Sequence, residues 1–372
     1  MLERPVWAEI DLSAIKHNVR EIKKSLKPGV KFCAVVKADA YGHGAVAVTR
    51  AVLSAGADRL AVAILGEAIE LREAGFLVPI QVLGYTPPQQ AKTVAAYGIE
   101  QTVYSMEAVR ALAAAGMETG KKVKVHIKID TGMGRIGILP EEAGDFAAAV
   151  AAMNGVEIEG VFSHFATADA DDKSYAYEQY GRFQQALDRI KDKGIDIPIR
   201  HIANSAASLE MPETHLDMVR PGIILYGLWP SPEVKRNVTL KPAMCLKAQV
   251  AHVKTVAAGT GISYGRAYIA DSERKIATLP IGYADGWTRL LSGRTDVLIN
   301  GSRARLVGRI CMDQCMADVT GIAAVKSGDT AILFGTPALT TDEVAGVLGT
   351  INYELVCMVG KRVPRVYVQQ VD

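Results

Sequence analysis

A lysine that closes an apolar run and is followed at once by a glycine-bearing turn is placed for covalent chemistry. Lys37 stands this way in Val35-Val36-Lys37-Ala-Asp39-Ala-Tyr41-Gly-His43-Gly44. Desolvation at such a position lowers an amine's pKa and makes it a candidate for Schiff-base formation. Taken alone, the segment equally describes a solvated lysine that happens to end a strand. A second set of residues has the character of an anion site. His201-Ile-Ala-Asn204-Ser205 leads into a helix start, and Arg220-Pro221-Gly222-Ile223 ends another apolar run. The Ser205 hydroxyl and the backbone N–H groups at Gly222 and Ile223 are suited to a phosphate. Lys128-Ile-Asp130-Thr-Gly-Met-Gly-Arg135 and Ser163-His164-Phe-Ala-Thr167 add polar groups at two more run ends, serving either function or a structural ion network. Tyr264, in Gly261-Ile-Ser-Tyr264-Gly-Arg-Ala-Tyr268, lies in a Gly-flanked turn that would present its hydroxyl, although a tyrosine in a turn also serves packing.

These groups need a frame that gathers strand ends. Apolar runs at 32–36, 60–64, 80–83, 101–104, 123–129, 158–165, 199–203 and 218–226 alternate with helix-patterned spacers. The spacer from Glu67 to Gly75 is one example, with apolar residues at helical spacing and a terminal glycine able to cap it. Eight strands separated by helices, without a series of hairpin turns, predict a parallel sheet closed into a (β/α)8 barrel. Barrel enzymes collect their functional groups at the C-terminal strand ends and often bind phosphate after strands seven and eight. Lys37, Lys128, His164, Ser205 and Gly222 fall at such ends. Beyond Gly227 the pattern changes. Trp229-Pro-Ser-Pro-Glu233 breaks regular structure, and 248–256, 276–281, 297–299 and 330–334 read as strands of a second, mainly β domain. The expected division is 1–235 for the α/β barrel and 236–372 for the β domain.

Length and composition agree with this plan. The 372 residues exceed the usual size of one core, and 49% hydrophobic with 22% charged residues excludes a disordered chain. With 42 Lys plus Arg against 40 Asp plus Glu, the net charge of +2 provides no field for nucleic acid or an anionic membrane, so a small-molecule partner is expected. Glu3, Arg4, Glu9 and Asp11 interrupt the apolar segment that a signal peptide needs, and the expected location is cytoplasmic. Five cysteines form an odd and scattered set in a long chain, which argues against a disulfide framework. Cys311 and Cys315 lack a second Cys or His pair, so no metal is expected.

Taken together, the segments resemble alanine racemases from Trp7-Ala-Glu-Ile-Asp-Leu12 to Arg362-Val-Pro-Arg365, nearly the whole chain. Lys37 to Gly44 is similar to the family's cofactor-lysine motif, and Ser263-Tyr264-Gly265 to its catalytic-tyrosine motif. Cys311-Met312-Asp313-Gln314 and Met218-Val-Arg-Pro-Gly222 match two further family segments. One departure is Ala267, where the family usually has threonine. The resemblance implies an isomerase that interconverts L- and D-alanine and supplies D-alanine for peptidoglycan. It implies pyridoxal 5'-phosphate attached to Lys37, with the phosphate gripped by Tyr41, Ser205, Gly222, Ile223 and Tyr353, and with His164, Asn204 and Arg220 completing the cofactor site. Lys37 would exchange the proton of D-alanine and Tyr264 that of L-alanine, with His164 as the neighbour of Tyr264. Arg220 would face the pyridine nitrogen, where a guanidinium, which does not readily release a proton, restrains transamination. Arg135 and the Met312 backbone would hold the substrate carboxylate, with Asp313 in the same site. Lys128 matches a lysine often carbamylated. The family forms head-to-tail homodimers in which the tyrosine completes the other chain's barrel site. A broader-specificity amino-acid racemase of the same fold is the nearest alternative. A barrel-type decarboxylase would carry a carboxylate where Arg220 stands.

Overall fold

All eight apolar runs between residues 32 and 226 contain a strand in the computed structural model, which describes residues 4–369. The chain opens with β1 (Val6–Asp11). The barrel strands follow: β2 (Lys31–Val35), β3 (Arg59–Val62), β4 (Ile80–Val82), β5 (Glu100–Val103), β6 (Val123–Lys128), β7 (Val156–Phe162), β8 (Ile199–His201) and β9 (Met218–Val219). Neighbours from β2 to β8 pair in parallel, and β9 pairs in parallel with β2. Between β8 and β9, Asp217 N–H donates to Arg200 O (3.2 Å) and Arg220 N–H to Ala203 O (3.0 Å), which brings the ring to closure. Leu60, Ala61 and Val62 are all buried, as expected of strands covered on both faces.

The connecting helices follow from local sequence. The helix Met106–Thr119 begins at Ser105, whose side chain accepts from Ala108 N–H, and stops at Gly120 in the left-handed region (φ 69°). Its Val109, Leu112 and Ala113 face inward. Burying a side chain such as Leu112 contributes roughly 1.5–3 kcal/mol. The expected strand 218–226 stops early, at Val219. Pro221 has no N–H for a ladder, and Gly222 (φ −121°, ψ −93°) turns the chain into the 3-10 segment Ile223–Tyr226.

The second sheet is built from β1, β10 (Met244–Gln249), β11 (His252–Val256), β14 (Arg274–Leu279), β15 (Asp296–Ile299), β16 (Ser302–Val307), β17 (Cys315–Asp318), β18 (Thr330–Phe334) and β19 (Arg365–Val368). A small hairpin, β12 (Gly261–Ile262) with β13 (Tyr268–Ile269), stands apart from it. Residues 248–256, expected as one strand, divide at Val250 and Ala251. β10 pairs with β18 and β1, whereas β11 pairs with β14. Sequence patterning does not single out β1, yet its alternation buries Val6, Ala8 and Ile10 between β10 and β19.

The chain forms two compact units. One holds Ile15–Ala40 and Ala45–Lys241, the barrel. The other holds the described residues up to Ala14, the short insert Tyr41–Gly44, and the described residues from Pro242 to Gln369. Among the described residues no helix is long and apolar enough to cross a membrane.

Candidate active site

Within the barrel unit, Lys37 is part-buried just after β2, and the turn it opens is unusual. Ala38, Asp39, Ala40 and Tyr41 have φ of 52–53°, so the segment Lys37–Gly42 winds left-handed through four consecutive non-glycine residues. Such a conformation costs roughly 1–2 kcal/mol per residue and persists only where its surroundings enforce it. Ala40 N–H donates to Val36 O (2.9 Å), Ala38 N–H to Glu67 Oε1 (2.6 Å), and Ala45 N–H to Asp39 Oδ1 (2.7 Å). The glycine-rich turn expected after Lys37 is thus a left-handed helical turn, with glycine only at its end.

The loops after β8 and β9 meet through Ser205 and Gly222. Ser205 Oγ accepts from Gly222 N–H (2.9 Å), and Asn204 caps the helix Ser205–Glu210 by accepting from Ala207 N–H (3.1 Å). Ser205, Gly222 and Ile223 therefore come together at the starts of two short helical turns, whose first N–H groups lack intrahelical partners.

Arg220 is buried beside this cradle. Its Nη1 donates to His201 Nδ1 (2.8 Å), and its Nη2 lies 2.7 Å from Ser163 O, 3.1 Å from Ile202 O and 3.2 Å from His164 Nδ1. Burial lowers the Arg220 pKa to about 10, which still leaves a cation near neutrality. His164 is held by Gln179, which accepts from Ala166 N–H (2.9 Å) and donates to His164 O (3.2 Å). Burial first, then the positive charges of Arg220, Arg135, Lys128 and Lys37, push the His164 pKa far down. Positive groups thus surround a neutral imidazole, an electrostatic setting suited to an anionic ligand.

Lys128 donates to Ile129 O (2.7 Å), and burial followed by the charge of Arg220 lowers its pKa to about 7. Asp130 Oδ1 accepts from the N–H groups of Gly132, Met133 and Gly134 (3.0–3.1 Å), shaping the loop that presents exposed Arg135.

The remaining residues belong to the β unit. Tyr41 and Tyr353 face each other with ring centroids 6.1 Å apart. Arg365 Nε donates to Gly42 O (2.9 Å), and a Cβ on Gly42 would lie 2.4 Å from Val356 O, so this glycine permits the close approach. Tyr264 is 69% exposed in the turn after β12, where Ser263 (φ 65°) anchors its Oγ on Arg309 O (2.6 Å). With Tyr283, Arg289 and Ile310 it lines a cavity of about 460 Å³. Exposed Met312 follows Cys311, and Asp313 pairs with Arg362 (2.6 Å). A Cβ on Gly282 would lie 2.3 Å from Met312 O, so the glycine lets these two loops touch.

Sequence reasoning gave no role of their own to Tyr283, Arg289 and Ile310, or to the buried groups behind Arg220, namely Glu100, His126 and His201. A signal for the latter was present: Glu100 and His126 are polar residues inside barrel strands, and His201 ends one.

Both halves of the chain match known proteins. The family pattern "Alanine racemase, N-terminal domain" covers residues 10–230, and "Alanine racemase, C-terminal domain" covers 243–367. An alanine racemase of Desulfovibrio desulfuricans is 56% identical over 367 residues, covering 99% of each chain. Among solved structures, the alanine racemase of Clostridium difficile 630 superposes with a TM-score of 0.97 at 44% identity, covering 100% of this chain and 97% of that one. The same enzyme in complex with cycloserine gives 0.95 at 42% identity, with coverage of 100% and 98%. With both halves matched and identity sustained from end to end, the chain belongs to the alanine racemases, a family of isomerases.

Proposed function

We propose that this chain interconverts L- and D-alanine with pyridoxal 5'-phosphate and two proton-exchanging groups, Lys37 on one face of the substrate and Tyr264 on the other. The observation that carries the reading is buried Arg220, bonded to His201 and 3.2 Å from His164 Nδ1, together with the Ser205–Gly222 cradle. Its donor chemistry fits the cofactor: backbone N–H groups and a serine hydroxyl for phosphate, an amine for attachment, and a donor-only guanidinium for a ring nitrogen. The bound cofactor supplies the electron sink that acidifies the substrate Cα–H.

On this reading Lys37 anchors the cofactor and exchanges one proton at Nζ. Ser205, Gly222, Ile223, Tyr41 and Tyr353 hold the phosphate, with Asn204 fixing the turn that carries Ser205. Arg220 keeps its own protons and offers hydrogen bonds without releasing one. His164, neutral and tied to Arg220, is the donor beside the tyrosine, since a phenol acts as a base near neutrality only where its anion is stabilised. Arg135 and the Met312 backbone receive the substrate carboxylate, with Asp313 fixing the Met312 loop. A carbamate on Lys128 would convert a cation near Arg135 into an anion, and the lowered pKa of this amine supports such a modification.

The full proposal is a barrel domain of 1–235, a β domain of 236–372, and a homodimer in which each Tyr264 serves the other chain's barrel. The high exposure of Tyr264 supports a role outward from its own unit. D-Alanine made in the cytoplasm would feed peptidoglycan. The test is chiral chromatography after incubating the protein and added cofactor with each alanine enantiomer. Convergence of both to an equal mixture is expected. Racemisation of other amino acids but not alanine would overturn the substrate assignment, and no conversion at all would overturn the activity.

A further inference from the structure

A continuous chain of hydrogen bonds runs through the barrel interior from Arg220 to residues on strands far from it in sequence. Arg220 Nη1 donates to His201 Nδ1 (2.8 Å), His201 Nε2 lies 3.1 Å from His126 Nδ1, and His126 Nε2 lies 3.0 Å from Glu100 Oε2. Arg59 closes the chain, bonding Glu100 through Nη2 and Glu159 through Nη1 (2.9 Å). His126 and His201 are fully buried, Glu100 and Arg220 nearly so. Phe162 stacks on His201 (4.9 Å between centroids, 5° between planes) and prevents its ring from tilting.

The direction of every proton in this chain follows from its two ends. A guanidinium can only donate, so His201 Nδ1 must accept and its proton must sit on Nε2. That N–H then donates to His126 Nδ1, which places the His126 proton on Nε2, facing a carboxylate that can only accept. The assignment requires both imidazoles to be neutral. Burial lowers both pKa values, with the Arg220 charge pushing that of His201 down further. Burial alone would raise the Glu100 carboxyl, but the His126 hydrogen bond and the nearby charges hold it at about 2. An amide or hydroxyl in place of Glu100 could donate toward His126 and reverse both rings, leaving two N–H groups opposed between His201 and Arg220.

We propose that Glu100 is a positioning residue: through His126 and His201 it fixes the proton arrangement that holds Arg220 in place at the mouth of the barrel. The consequence for catalysis rests on the assignment of Arg220 to the cofactor ring, whereas the proton arrangement itself does not.

The first readout therefore needs no cofactor. Nitrogen-15 NMR of histidine-labelled protein should find His126 and His201 neutral and protonated on Nε2 at neutral pH. Either ring protonated on Nδ1, or doubly protonated, would overturn the proposal. In the cofactor-loaded enzyme, Glu100→Gln should remove the single-tautomer signals, shift the absorption of the bound cofactor and lower kcat by about 10–100-fold with KM for alanine little changed, the scale expected of a displaced positioning group. Unchanged signals and unchanged kcat in a folded Glu100→Gln protein would overturn it. If that variant fails to fold, His126→Gln and His126→Leu decide. A glutamine amide can accept from His201 and donate to Glu100, so it should preserve kcat where leucine loses it, and equal losses would overturn the proposal. Lys124→Met, which breaks the ion pair of Lys124 with Glu159 (2.8 Å) outside the chain, should leave signals and kcat unchanged; the same losses there would point to a merely structural ladder and overturn it.

Discussion

The barrel interior and the Tyr264 loop hold their polar groups in opposite ways. Inside the barrel, Arg59, Glu100, His126, His201 and Arg220 are buried and bonded to one another, so each group's position is imposed by at least one other. In the β unit, Tyr264 and Met312 are more than half exposed, and their placement comes from backbone devices: Ser263 in the left-handed region, Gly265 beside it, and the close approach at Gly282. One region fixes side chains by mutual satisfaction in a low dielectric, where an unpaired charge is expensive. The other fixes the backbone and leaves the side chains outward. The barrel thus holds its polar groups rigidly, whereas the loop leaves its side chains accessible.

The sharpest test of this contrast removes the chemical group from each region. Lys37→Ala should abolish the visible absorption of bound cofactor and lower racemisation by more than about 10³-fold, since the proposed attachment and one of the two proposed proton exchanges would both be lost. Retention of the absorption would break the assignment of Lys37. Tyr264→Phe should keep the cofactor spectrum while lowering the rate by about 10²–10⁴-fold. Exchange of the substrate Cα proton with deuterated water should then fail from L-alanine and survive from D-alanine. Equal loss from both enantiomers would contradict separate roles on two faces.

Stability separates the regions next. Arg59→Leu leaves Glu100 and Glu159 without their buried cation and should cost about 3–5 kcal/mol by urea denaturation. Arg303→Ala breaks an exposed pair with Glu343 and should cost no more than about 1 kcal/mol. Similar losses would mean that the barrel ladder is not the tightly coupled network its geometry indicates.

Lys128 gives the most pH-dependent effect. Its folded pKa of about 7 lies below the ordinary 10.5, so between these values the unfolded chain binds more protons and stability rises with pH. Below pH 7 the cost of burying this amine is fully present. Lys128→Met should therefore stabilise the fold most at pH 6, with the gain shrinking by up to about 1.4 kcal/mol per pH unit toward pH 10. A flat difference across that range would show that Lys128 does not titrate as a buried amine, as expected if it carries a carbamate.

Much of the architecture was legible because it is periodic. Each barrel strand announces itself by a short apolar run, and the spacers by helical spacing, so the eight-strand count follows from local pattern alone. The Ser205–Gly222 cradle was legible for a related reason: barrel topology makes the ends of strands seven and eight neighbours. Two features were not. Nothing in Ala38-Asp-Ala-Tyr41 signals four successive residues at positive φ, because none is glycine and the cost is met by contacts to Val36, Glu67 and Arg365 from elsewhere in the chain. The first strand reads as an ordinary alternating segment, and only its fit between β10 and β19 decides which sheet it joins.

Local pattern in the sequence accounts for the eight barrel strands, the change to a β-rich second part, and the residue types available at each strand end. Tertiary structure alone decided that Arg59, Glu100, His126, His201 and Arg220, carried by or adjoining five separate strands, form one chain of hydrogen bonds. Periodicity reports which face of an element is buried. It does not report which buried polar group meets which, since that depends on strand register and ring closure, settled only when the whole barrel packs.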